Sequence, residues 1–460
     1  MGDYVSRVEA FGLHGRFDIE IDLLPRMNVL YGRNGSGKTT LLHILANVLN
    51  GSFGRFAFLD FKEISLFTGG GRRLKICHCG ESTISTIVDG ETVSTFDINE
   101  VRARDRHGER EDILPEERSE IGTVQLSDRF PVHGALYYPA FRTMIEAWSD
   151  ETIRPSRFRS HEYLYTPSEF WRPGRTKRIT WLARGLFGQF VPDLRYPSLA
   201  QIEWELSSAL MSAAYRVVNE GQASLSEAFL DAFAAIMGQR PSQQGSPDEI
   251  LAEIRIMLEE LNKTKIVTSP DGKQEDVYER LRRMIAEERT ADLTDTAASV
   301  LAVYRKSLMQ RINVQREAFA PFERYADSVN EFLEGKRLVL KPYAVRGPRA
   351  ALPAPVLIEF DDGSTASLMS LSSGERQIVS MLYASTYLGE TDDVVLIDEP
   401  EISLNIDWQR RFLPKMAQQL GDRQIIVCTH APEIGGEYDE EFQEVRFILS
   451  RERGSECDPA

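Results

Sequence analysis

The chain has 460 residues, of which 42% are hydrophobic and 27% are charged, and its formal net charge at pH 7 is −16. This length is enough for two or three domains, and the acidic balance argues against a protein that coats nucleic acid with its whole surface, while a local basic groove stays compatible with it. No apolar run approaches the ~20 residues of a membrane span, the start lacks a signal-peptide pattern, and four cysteines predict no disulfide framework, so we expect a cytoplasmic protein without a membrane partner.

The first 120 residues predict antiparallel strands around a loop and a helix. Residues 5–11 and 17–23 alternate with period two, and residues 27–31 form an apolar run typical of a buried parallel strand. A glycine-rich loop and a helix over residues 39–49 follow. Further alternating segments extend to about residue 100, and Cys77-His78-Cys79 among them indicates a strand, because no second pair of metal ligands accompanies it. The charged residues 101–120 predict a solvated loop or mobile edge.

The pattern changes to helical between residues 150 and 340 and returns to α/β after Pro353. Apolar residues at helical spacing indicate short to medium helices, and heptads do not persist long enough for a coiled-coil arm. The residues at this spacing are Ile250, Ile254, Met257, Leu261, Val277, Leu281, Met284 and Ile285. We therefore predict a discontinuous α/β domain, residues 1–148 and 341–460, with a helical insertion, residues 149–340.

Gly32 to Thr39 matches the phosphate-loop pattern G-x-x-x-x-G-K-[ST] in full. Glycines in such a loop let backbone N–H groups turn toward phosphate oxygens, helped by the positive end of the next helix. We expect Lys38 to meet the β- and γ-phosphates of ATP and Thr39 to bind Mg²⁺. The predicted nucleotide-binding residues here are Asn34, Gly35, Ser36, Gly37, Lys38, Thr39 and Thr40.

Two later strand ends supply the residue types that phosphoryl transfer requires. The apolar run 394–397 ends at Asp398, a predicted Mg²⁺ ligand, and Glu399, a predicted base that polarises the attacking water. The run 425–428 ends at Thr429 and His430, and we predict that His430 reaches the γ-phosphate.

Ser373 and Gly374 open a predicted helix whose free N–H groups form an anion site. Within one chain this site duplicates the phosphate loop. We therefore predict that Ser373 and Gly374 contact ATP held by a second subunit, so that the protein dimerises around nucleotide.

This ordered set of motifs resembles the ABC ATPase superfamily, in its non-transporter branch of RecF, SMC and OLD-type AAA ATPases. Longer segments are similar to the ATPases of two anti-phage systems, AriA of PARIS and PtuA of Septu. These segments are Tyr138 to Arg142, Val329 to Lys336, Leu371 to Ser380, Ile397 to Gln409 and Thr429 to Glu433. The resemblance implies an ABC-type ATPase head with an inserted helical lid. It also implies a homo-oligomer larger than a dimer, a separate nuclease or toxin subunit of TOPRIM or HNH type, and a phage-derived trigger.

Two positions depart from this pattern. Asn405 stands where relatives often carry His, and the Gln that most ABC heads use near Mg²⁺ has no clear counterpart. Gln125 is one candidate. Arg142 is another occupant of that place, and as a cation it would contact phosphate or a neighbouring subunit.

Residues 152–184 combine arginines with aromatic residues, including Trp181 and Arg184. This combination is typical of a protein interface, of a single-stranded nucleic-acid site or of a partly buried lid. Two functions remain in view: a sensor and scaffold that controls a nuclease or toxin in anti-phage defence, and a RecF- or SMC-like DNA clamp in repair.

Overall fold

The computed structural model describes residues 3–80, 82–110, 123–124, 126, 129–142, 144, 173–237, 247–263, 266, 295–342, 354–388, 393–435, 442–445 and 448–449. The chain forms two compact units, one of Met1–Leu199 with Leu371–Ala460 and one of Ala200–Ser370. The domain limits drawn from the sequence remain a prediction.

The elements are numbered in chain order. The strands are β1 (Val5–Leu13), β2 (Phe17–Asp22), β3 (Met27–Tyr31), β4 (Glu63–Thr68), β5 (Arg73–His78), β6 (Thr83–Val88), β7 (Glu91–Asp97), β8 (Ala135–Tyr138), β9 (Lys336–Leu340), β10 (Val356–Phe360), β11 (Thr365–Ala366), β12 (Val394–Asp398), β13 (Gln424–Thr429), β14 (Phe442–Glu444) and β15 (Ile448–Leu449). The helices are α1 (Lys38–Leu49), α2 (Ile98–Arg110), α3 (Pro173–Phe187), α4 (Leu199–Ile236), α5 (Pro247–Lys263), α6 (Asp295–Asn330), α7 (Ser373–Tyr383) and α8 (Ile406–Leu420).

The first unit contains an antiparallel sheet of order β15-β2-β1-β4-β5-β6-β7. Val8 faces Ile21 and Ala10 faces Ile19 across β1 and β2, so the alternating residues of both strands share one buried face. The prediction of antiparallel strands at the start of the chain is confirmed, and Cys77 and His78 lie in β5 as expected.

The same unit contains a parallel sheet of order β14-β3-β13-β12-β8. Every residue of β8, β12 and β13 is buried, as in strands covered on both faces. Helix α1 packs against β8 and β12 through its apolar residues. Because the strands are parallel, the chain segments that follow β3, β12 and β13 leave the sheet at one edge. The predicted α/β fold is confirmed.

Residues 98–110 form α2, and the loop predicted there is wrong. Ile98 and Val101 are buried, and Arg102 Nε donates to the carbonyl oxygen of Ala57 at 2.8 Å. Two buried apolar residues and one side-chain hydrogen bond thus hold a helix that is otherwise mostly charged or polar, so its sequence shows no apolar stripe that would predict a helix. Residues 111–120 lie outside the described residues.

The second unit contains most of α4, together with α5, α6 and a three-stranded antiparallel sheet of order β11-β10-β9. Ile250, Ile254 and Leu258 of α5 form a buried cluster with Ala302 and Leu308 of α6. The expectation of short to medium helices is wrong for α4 and α6, which have 38 and 36 residues and therefore extend over about 55 Å each. The predicted apolar series Val277 to Ile285 lies outside the described residues. None of the described helices combines the length and apolarity needed to cross a membrane.

Candidate active site

The loop between β3 and α1 has the backbone of an anion-binding site. Gly35 and Gly37 adopt φ values of 78° and 77°, which only glycine adopts without strain. A Cβ on Gly32 would lie 2.7 Å from Ser36 Oγ and 2.9 Å from the Val445 carbonyl oxygen, so this position also requires glycine. No acidic residue occupies the first turn of α1, whose N–H groups are therefore not neutralised by its own side chains.

The other predicted loop residues lie where the sequence predicts. Asn34 and Gly35 are exposed at the tip of the loop, and Thr40 is in the first turn of α1. Ser36 Oγ is buried and has no hydrogen-bond partner among the described residues. The loop thus combines two glycines at positive φ with a serine hydroxyl that has no partner among the described residues.

Lys38 begins α1 and its ammonium folds back over the loop. Lys38 Nζ donates to the carbonyl oxygen of Gly32 at 2.8 Å and lies 3.0 Å from His430 Nε2. Burial lowers the pKa of Lys38, and this effect is opposed by Cys428 and by the carboxylates of the strand ends. Lys38 is therefore a desolvated cation near the ends of β12 and β13, a state that strengthens its attraction for phosphate.

Asp398 is the last residue of β12, is 2% exposed and contacts Thr39. Thr39 Oγ1 donates to Asp398 Oδ2 at 2.9 Å, whereas Asp398 Oδ1 is buried and has no hydrogen-bond partner among the described residues. Burial raises the pKa of Asp398 to about 6; the Thr39 hydrogen bond opposes this rise and Glu399 adds to it. A buried carboxylate oxygen without a donor, beside a hydroxyl, is the oxygen donor set that suits Mg²⁺.

Glu399 follows Asp398 in a left-handed backbone conformation, φ 47°, which costs a residue with a side chain about 1–2 kcal/mol. Its N–H donates to the Cys428 carbonyl oxygen at 2.8 Å, and its Oε1 lies 3.2 Å from His430 Nε2. The structure thus brings together Lys38, Thr39, Asp398, Glu399 and His430 at one edge of the parallel sheet.

Arg142 contacts this edge from inside the protein, and the hypothesis that it reaches phosphate or a neighbouring subunit is wrong in this structure. Arg142 is 1% exposed and donates to the carbonyl oxygens of Pro139, Asp398 and Glu399 at 3.1, 3.0 and 2.9 Å. The guanidinium donates to three main-chain carbonyl oxygens, because its planar set of donors can reach several acceptors at once. It therefore holds the backbone of both acidic residues.

The predicted trans residues Ser373 and Gly374 begin α7. Ser373 is exposed, while a Cβ on Gly374 would lie 2.5 Å from the carbonyl oxygen of Ser403. Gln377, one turn further, donates to the carbonyl oxygen of Pro400 at 2.9 Å. The start of α7 is thus fixed on the turn that follows Asp398 and Glu399.

Asn405 caps α8, because its Oδ1 accepts a hydrogen bond from the Trp408 N–H at 2.9 Å. This contact gives the departure at Asn405 a structural reason that is separate from any partner subunit. Gln125 lies outside the described residues.

Only part of the arginine and aromatic stretch is described. Arg184 is buried in α3 and donates to the Val191 carbonyl oxygen and to Asp193 Oδ1, both at 2.9 Å. It stabilises the fold and is not part of an exposed basic patch, whereas Trp181 is 43% exposed. Residues 151–172 lie outside the described residues.

Sequence reasoning missed Gln377 and Glu401, and it misjudged Arg142. All three bond to main-chain atoms of residues distant in sequence, so no local pattern marks them. The available signals were the position of Glu401 two residues after Glu399 and the place of all three residues within segments that resemble relatives.

Comparison with known proteins agrees with this chemistry. Residues 246–434 match the family model described as "AAA domain, putative AbiEii toxin, Type IV TA system", and residues 7–124 match a second model described as "AAA domain". Comparison with curated proteins finds no match.

Solved SMC head domains are similar to this chain at low identity. The Smc head of Pyrococcus furiosus with an extended coiled coil, bound to the C-terminal domain of ScpA, has 12% identity and a TM-score of 0.39, with 97% of this chain and 96% of that chain covered. The Smc head of Pyrococcus yayanosii with a coiled coil and joint has 13% identity and a TM-score of 0.33, with 94% and 93% covered. Both matched models describe an AAA domain, and each covers less than half of the chain.

Proposed function

We propose that this protein binds ATP with Mg²⁺, hydrolyses it to ADP and phosphate, and dimerises around the nucleotide. The observation that carries this proposal is the convergence of Lys38, Thr39, Asp398, Glu399 and His430 at the carboxyl edge of one parallel sheet. Phosphoryl transfer needs mainly positioning and charge stabilisation, and these five residues supply both.

Each residue has one role in this proposal. The loop from Asn34 to Thr40 holds the β- and γ-phosphates through its backbone N–H groups, and Lys38 Nζ leaves His430 to contact them. Glu399 orients and polarises the attacking water. His430, next to Glu399, donates to a γ-phosphate oxygen. Mg²⁺ fits Thr39 Oγ1 and the unpartnered Asp398 Oδ1, and when bound it would neutralise phosphate charge.

Single-turnover and steady-state assays of the wild type, Lys38→Ala and Glu399→Gln test this assignment. Lys38→Ala should lose nucleotide binding, while Glu399→Gln should bind ATP normally and lower kcat by about 100-fold or more, because one positioned base contributes a factor of that size. Glu399→Gln keeps the size of the side chain, and normal ATP binding by this variant would show that its loss of turnover is not a folding defect. Unchanged turnover in Glu399→Gln would overturn the assignment of the base.

Dimerisation in trans is tested by mixing two inactive variants. Ser373→Arg adds a bulky cation at an exposed helix start, so the chain should fold and bind ATP but form no closed site in its partner. In a symmetric dimer each site combines the loop of one subunit with Ser373 of the other. A mixture of Lys38→Ala and Ser373→Arg chains then contains heterodimers with one intact site, and we expect about a quarter of the wild-type activity. No recovery, with normal heterodimer formation, would argue against trans sites.

We further propose that the ATPase is a sensor and scaffold that controls a separate nuclease or toxin in anti-phage defence. The support is the resemblance to ATPases of such systems, together with the matched model, whose description names a putative toxin of a Type IV TA system. Purification from the native host with ATP and Mg²⁺, followed by intact-complex mass spectrometry, tests this role. A nuclease or toxin subunit in a higher oligomer that depends on Lys38 is the expected result.

A DNA clamp is the second candidate, and the arginines and aromatics of residues 152–184, apart from the buried Arg184, are the feature that favours it. It predicts DNA binding that requires ATP and weakens steeply with salt. A bare dimer that carries DNA fragments in the same purification would select this function over the defence role.

A further inference from the structure

Glu401 lies in the turn after β12 and accepts three hydrogen bonds on a single oxygen atom. Glu401 Oε1 accepts from Thr429 Oγ1 at 2.8 Å, from the His430 N–H at 2.8 Å and from the Ala431 N–H at 3.1 Å. The three donors belong to consecutive residues at the end of β13. One side chain therefore fixes the whole segment in which His430 stands.

The main-chain N–H group of His430 needs a partner from outside the sheet, whereas the Ala431 N–H also donates to Thr429 Oγ1 at 2.9 Å. Strand β13 ends at Thr429, so the ladder of backbone hydrogen bonds offers no acceptor beyond that residue. A carboxylate supplies a stronger acceptor than a neutral group, and it sets the backbone direction from which the imidazole extends. The ring of His430 then lies 3.0 Å from Lys38 Nζ and 3.2 Å from Glu399 Oε1.

Glu401 is itself held in place from the other side. The preceding residue, Pro400, is buried and its carbonyl oxygen accepts the hydrogen bond from Gln377 Nε2. The second oxygen, Glu401 Oε2, is buried and has no hydrogen-bond partner among the described residues. Only Oε1 is thus needed for the contact with residues 429–431.

We propose that Glu401 is a positioning residue for hydrolysis. It acts by holding His430 so that its ring stays next to Lys38 Nζ and Glu399 Oε1. This inference rests on the proposed ATPase function. It assigns Glu401 no contact with ATP or with the attacking water, and it places the effect on turnover and not on nucleotide binding, which the loop around Lys38 carries.

Two substitutions at Glu401 separate positioning from general damage. Glu401→Ala removes the acceptor, and we expect kcat to fall about ten-fold or more while KM for ATP changes by less than about three-fold. Glu401→Gln keeps an acceptor oxygen at Oε1 and puts its amide group at the unpartnered Oε2, so it should retain most of the activity. Equal losses in the two variants would overturn the proposal.

A double substitution tests whether the effect passes through His430. In a His430→Ala background, Glu401→Ala should lower kcat by less than about two-fold, because the positioned ring is already absent. A full additional loss in that background would show that Glu401 acts by another route and would overturn the proposal.

Hydrogen exchange gives a readout that does not depend on turnover. The amide of His430 should exchange about ten-fold faster in Glu401→Ala than in the wild type, and with a clearly smaller increase in Glu401→Gln, which keeps a neutral acceptor. The amide of Ala431, which also donates to Thr429 Oγ1, should change less. Unchanged exchange in Glu401→Ala would refute the proposal that Glu401 restrains residues 429–431. A wild-type protein with this exchange pattern and no ATPase activity would instead refute the proposed function.

Discussion

The buried imidazole of His43 makes stability depend on pH in a way that can be calculated. His43 lies in α1, its Nε2 is 2.9 Å from Tyr137 Oη, and its ring is packed edge-on against those of Tyr137 and Phe190. Burial lowers the pKa of His43 from 6.5 to about 3. Between about pH 3 and pH 6.5 the folded protein thus keeps His43 neutral while the unfolded chain protonates it.

The sign and size follow from proton linkage. The unfolded state binds the extra proton below pH 6.5, so stability is complete above that pH and falls as the pH drops from 6.5 toward about 3. With these two pKa values the free energy of unfolding should decrease by about 2 kcal/mol between pH 7 and pH 5 from His43 alone. In His43→Gln, which cannot be protonated, this contribution should disappear.

Urea unfolding of wild type and His43→Gln between pH 5 and pH 7 measures the difference, since other titrating groups cancel in the comparison. His78→Gln is the matched control: burial also lowers the pKa of His78, but its ring is only half-buried and Asp60 opposes the shift. The control should therefore show a smaller effect. Parallel pH profiles for wild type and His43→Gln would refute the reasoning.

Three further changes have expected outcomes. Asp398→Asn should abolish the gain in ATP affinity that Mg²⁺ gives while leaving Mg²⁺-free binding intact; titrations with Mg²⁺ and with EDTA compare the two, and a wild-type Mg²⁺ effect would exclude Asp398 as a ligand. Gly32→Ala should weaken ATP binding by about ten-fold or more, because its Cβ has no room, whereas Gly185→Ala, with open space around it, should not; equal affinities would contradict the loop geometry. Asn405→Ala should lower the free energy of unfolding by about 1 kcal/mol through loss of the α8 cap, and Asn405→Asp should preserve it in the same denaturation assay.

The convergence at the sheet edge could be predicted from the sequence because it needs only local information. Short apolar runs before Gly32, Asp398 and Thr429 indicate buried parallel strands, and parallel strands end at a common edge. The structure confirms those strands and brings the predicted side chains into contact. The roles of these side chains toward ATP and Mg²⁺ remain predictions for the assays above.

Helix α2 and the long helices α4 and α6 could not be predicted, for a different reason. The charged sequence of α2 has few apolar positions, and its helix contacts Ala57 through Arg102 and Arg55 through Asp105, which are 45 and 50 residues apart in the sequence. Helices α4 and α6 contact each other through Ser224 Oγ and Ser307 Oγ at 2.9 Å, and these two residues are 83 positions apart in the sequence. Sequence patterns within one helix do not include the distant residues that these helices contact.

Contacts between residues distant in sequence also explain why the roles of Arg142 and Glu401 were not predicted. The positions of these contacts indicate what the two residues do. Glu399 keeps a left-handed backbone that no local preference stabilises, so the surrounding structure must hold it. Arg142 donates to the carbonyl oxygens of Asp398 and Glu399, and Glu401 accepts from the N–H groups of His430 and Ala431. A buried cation on the carbonyl side and a carboxylate on the amide side thus restrain the ends of β12 and β13. Because these bonds end on the backbone of the proposed catalytic residues, their loss should reduce turnover before it reduces affinity for ATP.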